Sequence, residues 1–346
     1  MNIDLLTLKR FVIAITVALV ICGPAESAFA GPPSLADVID SVQPKIVKIY
    51  GAGGFRRLEA YQSGFLISSK GHVLTTWSYV LDTDYIVVVL NDGRKFQAEL
   101  LGADPRLEIA VLKLDEADDT PFFDLAEAVP LRNGSRVLAF SNMYSVATGN
   151  EPASVVHGLV SAKTTLDARS GMFETPYRGP VYVLDAMTNN PGAGGGALTD
   201  HKGRLAGLLG KELKNGLNNT WLNFSIPISE IEQSVEDIRA GKFQSSTSDP
   251  DAEPVPDPLT LDALGLVMVP DVLSRTPPFV DRILPDTPAQ RVGLRPDDLI
   301  LFLDNRMIQS YKDLSQELSM IDRATPIRIT VMRGRELKEV ELTTTP

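Results

Sequence analysis

The chain has 346 residues, 44% of them apolar and 22% charged, with a formal net charge of −11. That length accommodates two or three domains with separate cores, and the composition is that of a globular chain, not a disordered or fibrous one. The acidic balance, with no Lys/Arg cluster along the sequence, argues against a nucleic-acid binder.

The N-terminus comes first. "MNIDLLTLKR" ends in a basic pair, "FVIAITVALVI" is apolar, and "AESAFA" places small residues before a cut after Ala30. This is the layout of a secretory signal peptide over residues 1–30, with an apolar stretch short for a membrane span. The alternatives are a retained anchor, the one case in which a membrane is a partner, and lipidation of Cys22. Ile21 before that cysteine is bulkier than the small residue lipidation favours. Cys22 is the single cysteine. After cleavage no thiol remains, so the mature chain tolerates an oxidising compartment, periplasmic or extracellular, without disulfides.

From residue 31 to 242 the sequence reads as short strands between Gly, Asn and Asp turns. "PKIVKIYG", "YQSGFLISS", "GHVLTT", "DYIVVVLNDGRKFQAELLGAD" and "IAVLKLD" form a first group. Within it "LNDGRKF" reads as a hairpin turn. A second group follows Pro130: "GSRVLAFSN", "PASVVHGLVSAK", "GPVYVLDAM", "GGALTDHKGRLAGLLG" and "LNFSIPI". Two groups of about six strands predict two packed all-β units, sandwich or barrel. "SEIEQSVEDIRAG" has a helical period and a glycine stop. Residues 243–258, "FQSSTSDPDAEPVPDP", read as a solvated linker. Residues 259–346 form a compact module, with strands such as "LGLVMV" and "DLILFLD" and a helix at "SYKDLSQELSMI".

Six stretches, in family order and with nearly family spacing, resemble the HtrA/Deg family: "SGFLISSKGHVLTT", "LNDGRKFQAELLGADPRLEIAVLKLD", "GSRVLAFSN", "HGLVSA", "NPGAGGGALTDHKGRLAGL" and "NFSIP". The resemblance covers nearly all of the chain after residue 30. It implies an all-β dominated fold, a trypsin-like double β-barrel over 31–242, followed by a small α+β PDZ domain over 259–346.

The resemblance also locates a catalytic triad, and all three positions differ. The histidine motif reads "LTTWSYVL", with Ser78 at the histidine position. The aspartate motif reads "DPRLEIAVLK", with Glu108 at the aspartate. The nucleophile motif reads "NPGAGGGAL", with Gly194 at the serine. A glycine offers no oxygen, and a hydroxyl is no general base near neutral pH. The expectation is therefore a chain that is not an enzyme, with no catalytic residue, and that binds peptides or partner proteins through its PDZ domain as an adaptor, holdase or regulator in protein quality control. The oxyanion-type loop Gly192, Ala193 and Gly194 would keep its backbone N–H donors. The alternatives are an active endopeptidase with a relocated nucleophile and a purely structural scaffold. His72, His157 and His201 have no metal-ligand spacing, and "GAGGGA" lacks a phosphate-loop ending, so neither a metal nor any cofactor is expected.

"LPDTPAQRVGLRPDDLILFLDNRMI" resembles the family's PDZ pattern, with Asp297 where a glycine is usual. The resemblance places peptide binding at Ala263, Leu264, Gly265 and Leu266. It implies strand addition of peptides or unfolded chains, C-termini with a hydrophobic last residue included. Active family members are further partners under that reading. The module's alternative role is to pack on the barrels or mediate assembly.

Overall fold

The computed structural model describes residues 33–51, 60–83, 85–170, 173–242, 244–245, 255–272, 276–334 and 336–344. The expected signal peptide, Cys22 included, lies outside them. Ser34 and Asp37 exchange hydrogen bonds, Ser34 N donating to Asp37 Oδ2 at 2.8 Å and Asp37 N to Ser34 Oγ at 3.2 Å. This is a reciprocal N-terminal cap for α1, Leu35–Val42.

Six antiparallel strands follow: β1 Ile46–Tyr50, β2 Tyr61–Leu66, β3 His72–Thr76, β4 Ile86–Val89, β5 Lys95–Asp104 and β6 Ile109–Leu114. They pair in the order β5-β4-β1-β2-β3-β6, and β5–β6 pairing closes the barrel. The expected hairpin forms between β4 and β5, where Leu90 N donates to Arg94 O at 2.9 Å. Strand alternation divides the apolar residues between two cores. Ile46, Phe65, Leu74, Ile109 and Val111 join one core, while Val47, Leu66, Val73, Ala110 and Leu112 fill the other.

The second barrel closes as β11-β16-β13-β12-β7-β8. Its strands are β7 Arg136–Ser141, β8 Ser154–Thr165, β11 Pro180–Leu184, β12 Ala197–Asp200, β13 Leu205–Leu209 and β16 Phe224–Pro227. Between them β9 Ala168–Ser170, β10 Phe173–Glu174, β14 Leu213–Asn215 and β15 Trp221–Leu222 form a separate four-stranded sheet. Helix α2, Ile228–Arg239, buries Ile228, Ile231, Val235 and Ile238, the stripe its period predicts, in the first of the two cores above.

Of the expected linker, 243 and 246–254 lie outside the described residues. Its described ends are tied down. β17, Gln244–Ser245, pairs with β5 and with Arg306–Met307, and Val255 N donates to Ser319 O at 3.1 Å. The C-terminal module holds α3 Leu261–Leu264, β18 Leu266–Met268, β19 Val280–Ile283, α4 Pro288–Arg291, β20 Asp298–Leu303, β21 Arg306–Met307, α5 Tyr311–Ser319, β22 Ile327–Arg333 and β23 Glu336–Leu342. It has its own core around Leu264, Ile300, Leu314 and Ile329. Leu301, Phe302 and Met307 instead join the core of the first barrel.

Candidate active site

Strand pairing brings two of the three triad positions to one edge. Thr76 pairs with Ile109 at the ends of β3 and β6, and Trp77 N donates to Glu108 O at 2.9 Å. Glu108 therefore lies beside the turn that carries Ser78. Its backbone is left-handed, with φ 56°, a conformation that a side-chain-bearing residue rarely adopts. Its carboxylate accepts from Thr175 Oγ1 at 2.7 Å on Oε2 and from Lys211 Nζ at 3.0 Å on Oε1. Lys211 Nζ also lies 5.8 Å from the Trp77 ring centroid.

Ser78 caps the 3₁₀ turn Tyr79–Leu81, its Oγ accepting from Val80 N at 3.2 Å. The same hydroxyl donates to Gln62 Oε1. Gln62 Nε2 donates to Thr75 Oγ1 at 2.7 Å and to Thr76 O at 3.0 Å, and Thr75 Oγ1 donates to Ser63 O at 2.6 Å. Ser63 ties this network to the glycine turn. Its Oγ donates to Gly192 O at 2.6 Å and accepts from Asn142 N at 2.7 Å, and its N–H donates to Gly194 O at 3.1 Å. With no exposed surface, Ser63 braces the turn.

The turn itself is held by Ala193 N to Asn190 O at 3.0 Å, Gly195 N to Leu209 O at 3.0 Å and Gly196 N to Ala193 O at 3.1 Å. The Gly192 and Gly194 N–H groups donate to no protein group among the described residues. Two unengaged amides flanking one residue are the donor pair an oxyanion requires. Gly192 has φ +81° and Gly195 φ +85°, so the turn needs glycine at both.

Ser78, Glu108, Gly192, Gly194 and Lys211 line one cleft of about 770 Å³, together with Trp77, Phe279 and Leu301. The fold thus brings Ser78, Glu108 and Gly194, the three residues expected at the triad positions, into one cleft. Gln62, Thr175 and Lys211 were not singled out in the sequence. Gln62 had a visible signal, a buried polar residue in the apolar run "YQSGFL". Thr175 and Lys211 reach Glu108 from 67 and 103 residues away. His72, His157 and His201 do not line this cleft. His72 Nδ1 lies 2.6 Å from Ser68 Oγ, and burial, with Arg239, Lys113 and Lys70 nearby, pushes its pKa down. Among the described residues no cluster of three or more His, Cys, Asp or Glu is arranged to hold a metal.

In the C-terminal module, Ala263 and Leu264 end the short helix α3. Gly265 caps it at φ 80°, and Leu266 opens β18. Ala263 N donates to Thr260 Oγ1, Leu264 N to Thr260 O and Gly265 N to Asp262 O. Three of the four N–H groups expected for a peptide carboxylate are therefore engaged within the turn. Asp297, the departure from the pattern, sits at φ 67°, so an aspartate occupies a glycine conformation.

Residues 62–208 match the trypsin-like peptidase domain family and residues 264–344 the PDZ domain family. A relative from Pseudomonas fulva is 29% identical over 316 residues, covering 90% of this chain and 61% of its own length. One from Halomonas elongata is 29% identical over 285 residues, covering 81% and 55%. Both are named probable periplasmic serine endoprotease, DegP-like. The chain thus spans 55% and 61% of the lengths of these two relatives. A serine endoprotease from Yersinia pestis is a structural neighbour at 23% identity and TM-score 0.48, covering 90% of this chain and 97% of its own. An HtrA-type protease, AlgW, with a decapeptide, aligns at 23% identity and TM-score 0.47, covering 90% and 98%.

One expectation is corrected by these relatives. The triad substitutions led to the expectation that the chain is not an enzyme, whereas the relatives aligned along 81–90% of it are named serine endoproteases. That inference equated replacement of the expected triad residues at positions 78, 108 and 194 with loss of the activity. Among the described residues no helix is long and apolar enough to cross a membrane. The chain is thus similar to a trypsin-like peptidase domain over residues 62–208 followed by a PDZ domain over residues 264–344, and to relatives named DegP-like.

Proposed function

We propose that the protein is an HtrA-like serine-type endopeptidase of the periplasm whose attacking oxygen comes from Ser78 instead of position 194. One observation carries this reading: the Ser78 hydroxyl lines the same cleft as the unengaged Gly192 and Gly194 amides. The names of its relatives support the reaction class and the compartment.

In the proposed reaction Ser78 Oγ attacks the scissile carbonyl, whose oxygen moves onto the two amides as it gains charge. The hydroxyl proton passes to the Glu108 carboxylate, which lines the same cleft and is held there by Lys211 and Thr175. Collapse of the intermediate expels the amine, which takes that proton, and water then hydrolyses the ester on Ser78. A carboxylate steadied by a lysine is a weaker base than an imidazole. Turnover is expected to be about 10²- to 10⁴-fold below that of a histidine-based relative, the contribution of a matched general base.

The expected substrates are unfolded chains entering the cleft in extended form. The PDZ module would hold them by strand addition at β18, which pairs only with β19 among the described residues. The test is hydrolysis of fluorescently labelled casein by the purified protein and its Ser78→Ala variant. The proposal expects slow turnover that Ser78→Ala abolishes. Turnover at the buffer rate, or full activity in Ser78→Ala, would overturn it.

A further inference from the structure

A second concavity, of about 540 Å³, is formed by the turn before β7 and the β12–β13 hairpin, and is lined by Arg132, Arg136, Asp200, His201 and Arg204. It lies at the end of the second barrel away from the glycine turn. β12 leaves that turn at Ala197, paired with Phe140, and reaches Asp200, paired with Val137, about 10 Å further on. We propose that this pocket binds a phosphate group.

The chain as a whole is acidic, yet this pocket gathers three guanidinium groups and a histidine around one carboxylate. The cluster is invisible along the sequence, because 68 residues separate Arg136 from Arg204. Its one acid is already committed. Asp200 is buried, with Oδ1 accepting from Lys202 N at 2.9 Å and Arg204 N at 3.0 Å. Its Oδ2 accepts from Arg204 Nε at 2.9 Å and Nη2 at 2.7 Å. That carboxylate fixes the hairpin and aims Arg204, leaving Arg132 and Arg136 uncompensated. The side chains of Arg132 and Arg136 make no hydrogen bond or ion pair among the described residues.

The turn that presents them is rigidly specified. Arg132 N donates to Ser135 Oγ at 3.1 Å, Ser135 N to Arg132 O at 3.0 Å and Gly134 N to Val160 O at 2.8 Å. A Cβ added at Gly134 would meet nothing within 4 Å, so the approach over the turn is open. The planar fork of arginine matches the tetrahedral oxygens of phosphate in a bidentate fashion, and several forks around one concavity favour that group over chloride. The acidic remainder of the surface repels anions, so affinity depends on this cluster and falls as salt screens it.

The test is calorimetric titration of the purified full-length protein at low ionic strength. Inorganic phosphate is the probe in one arm and glycerol phosphate, a soluble lipid headgroup, in the other. A double variant, Arg132→Gln with Arg136→Gln, removes the uncompensated pair. A second, Arg94→Gln with Lys95→Gln in the other barrel, removes equal charge elsewhere. The proposal expects phosphate binding that weakens at least about tenfold in the pocket variant, as lost charge-assisted hydrogen bonds would cause. The control variant should change it less than about twofold, the size of a surface-charge effect. Binding confined to inorganic phosphate assigns the pocket to the free ion, and binding of glycerol phosphate assigns it to a phosphate ester. No binding of either probe, or equal losses in the two variants, would overturn the proposal.

Discussion

At Gly194 an added Cβ would lie 3.5 Å from Thr76 Oγ1 and no closer to any other atom, an ordinary contact. At Gly192 it would come within 2.3 Å of the Tyr61 ring, and at Gly195 within 2.2 Å of Ser63 O, both at positive φ. The turn therefore retains room for a side chain at the triad's serine position. Gly194→Ser is expected to change stability by less than about 0.5 kcal/mol, whereas Gly195→Ala is expected to cost more than about 2 kcal/mol from strain and clash together. Urea unfolding of both variants checks this, and equal losses would contradict it. Asp200 gives a pH-dependent case. Burial pushes its carboxyl pKa up, but the hydrogen bonds from Arg204 and Lys202 outweigh that and hold it below 3.8. A depressed folded pKa means stability present above the unfolded value and lost as pH falls through the folded one. Asp200→Asn is expected to cost about 1–3 kcal/mol at pH 7, with the difference shrinking at pH 3 and below. Denaturant unfolding at the two pH values measures it.

Among the elements, strands and long helices were legible because burial alternates along them. "SEIEQSVEDIRAG" becomes α2 and "SYKDLSQELSMI" becomes α5, each with the buried stripe its period requires. The ungapped motifs singled out Ser78, Glu108 and Gly194, which line one cleft. What holds them was not legible. Lys48 lies in the middle of β1, fully buried, and its Nζ donates to Gly149 O at 2.6 Å, Glu151 O at 2.9 Å and Leu90 O at 3.4 Å. These acceptors are main-chain groups more than 40 residues away, and no side-chain pattern can announce them. The same holds for Tyr50 Oη, which donates to Ala147 O at 2.8 Å. Together they anchor the loop 142–151, whose Tyr144 N donates to Pro191 O at 2.8 Å beside the glycine turn. Lys48→Met is expected to cost about 1–3 kcal/mol by orphaning buried carbonyls. It should also speed amide exchange in 142–151 more than in β12. Unchanged exchange in that loop would contradict its role as an anchor.

For the whole molecule, the shared core is the decisive feature. The PDZ module has an interior of its own, yet it places Leu301, Phe302 and Met307 in the core of the first barrel, and β17 joins β5 to β21. Separating the module would expose three large apolar side chains, each worth roughly 1.5–3 kcal/mol of burial. Calorimetry is therefore expected to show one unfolding transition for barrels and module together, and two well-separated transitions would contradict that coupling. The sequence suggested two bodies with a solvated connection, because a linker's composition says nothing of what its ends pack against. The same coupling closes the cleft on one side with Phe279 and Leu301, so a chain entering the site touches both domains. Under the proposed reaction, Ser78 is the serine nucleophile of this cleft. The most direct test is reaction of the purified protein with a fluorophosphonate, followed by mass-spectrometric mapping of the adduct. A single phosphonylated serine, Ser78, is expected, with labelling lost in Ser78→Ala. No adduct, or an adduct at another residue, would contradict it.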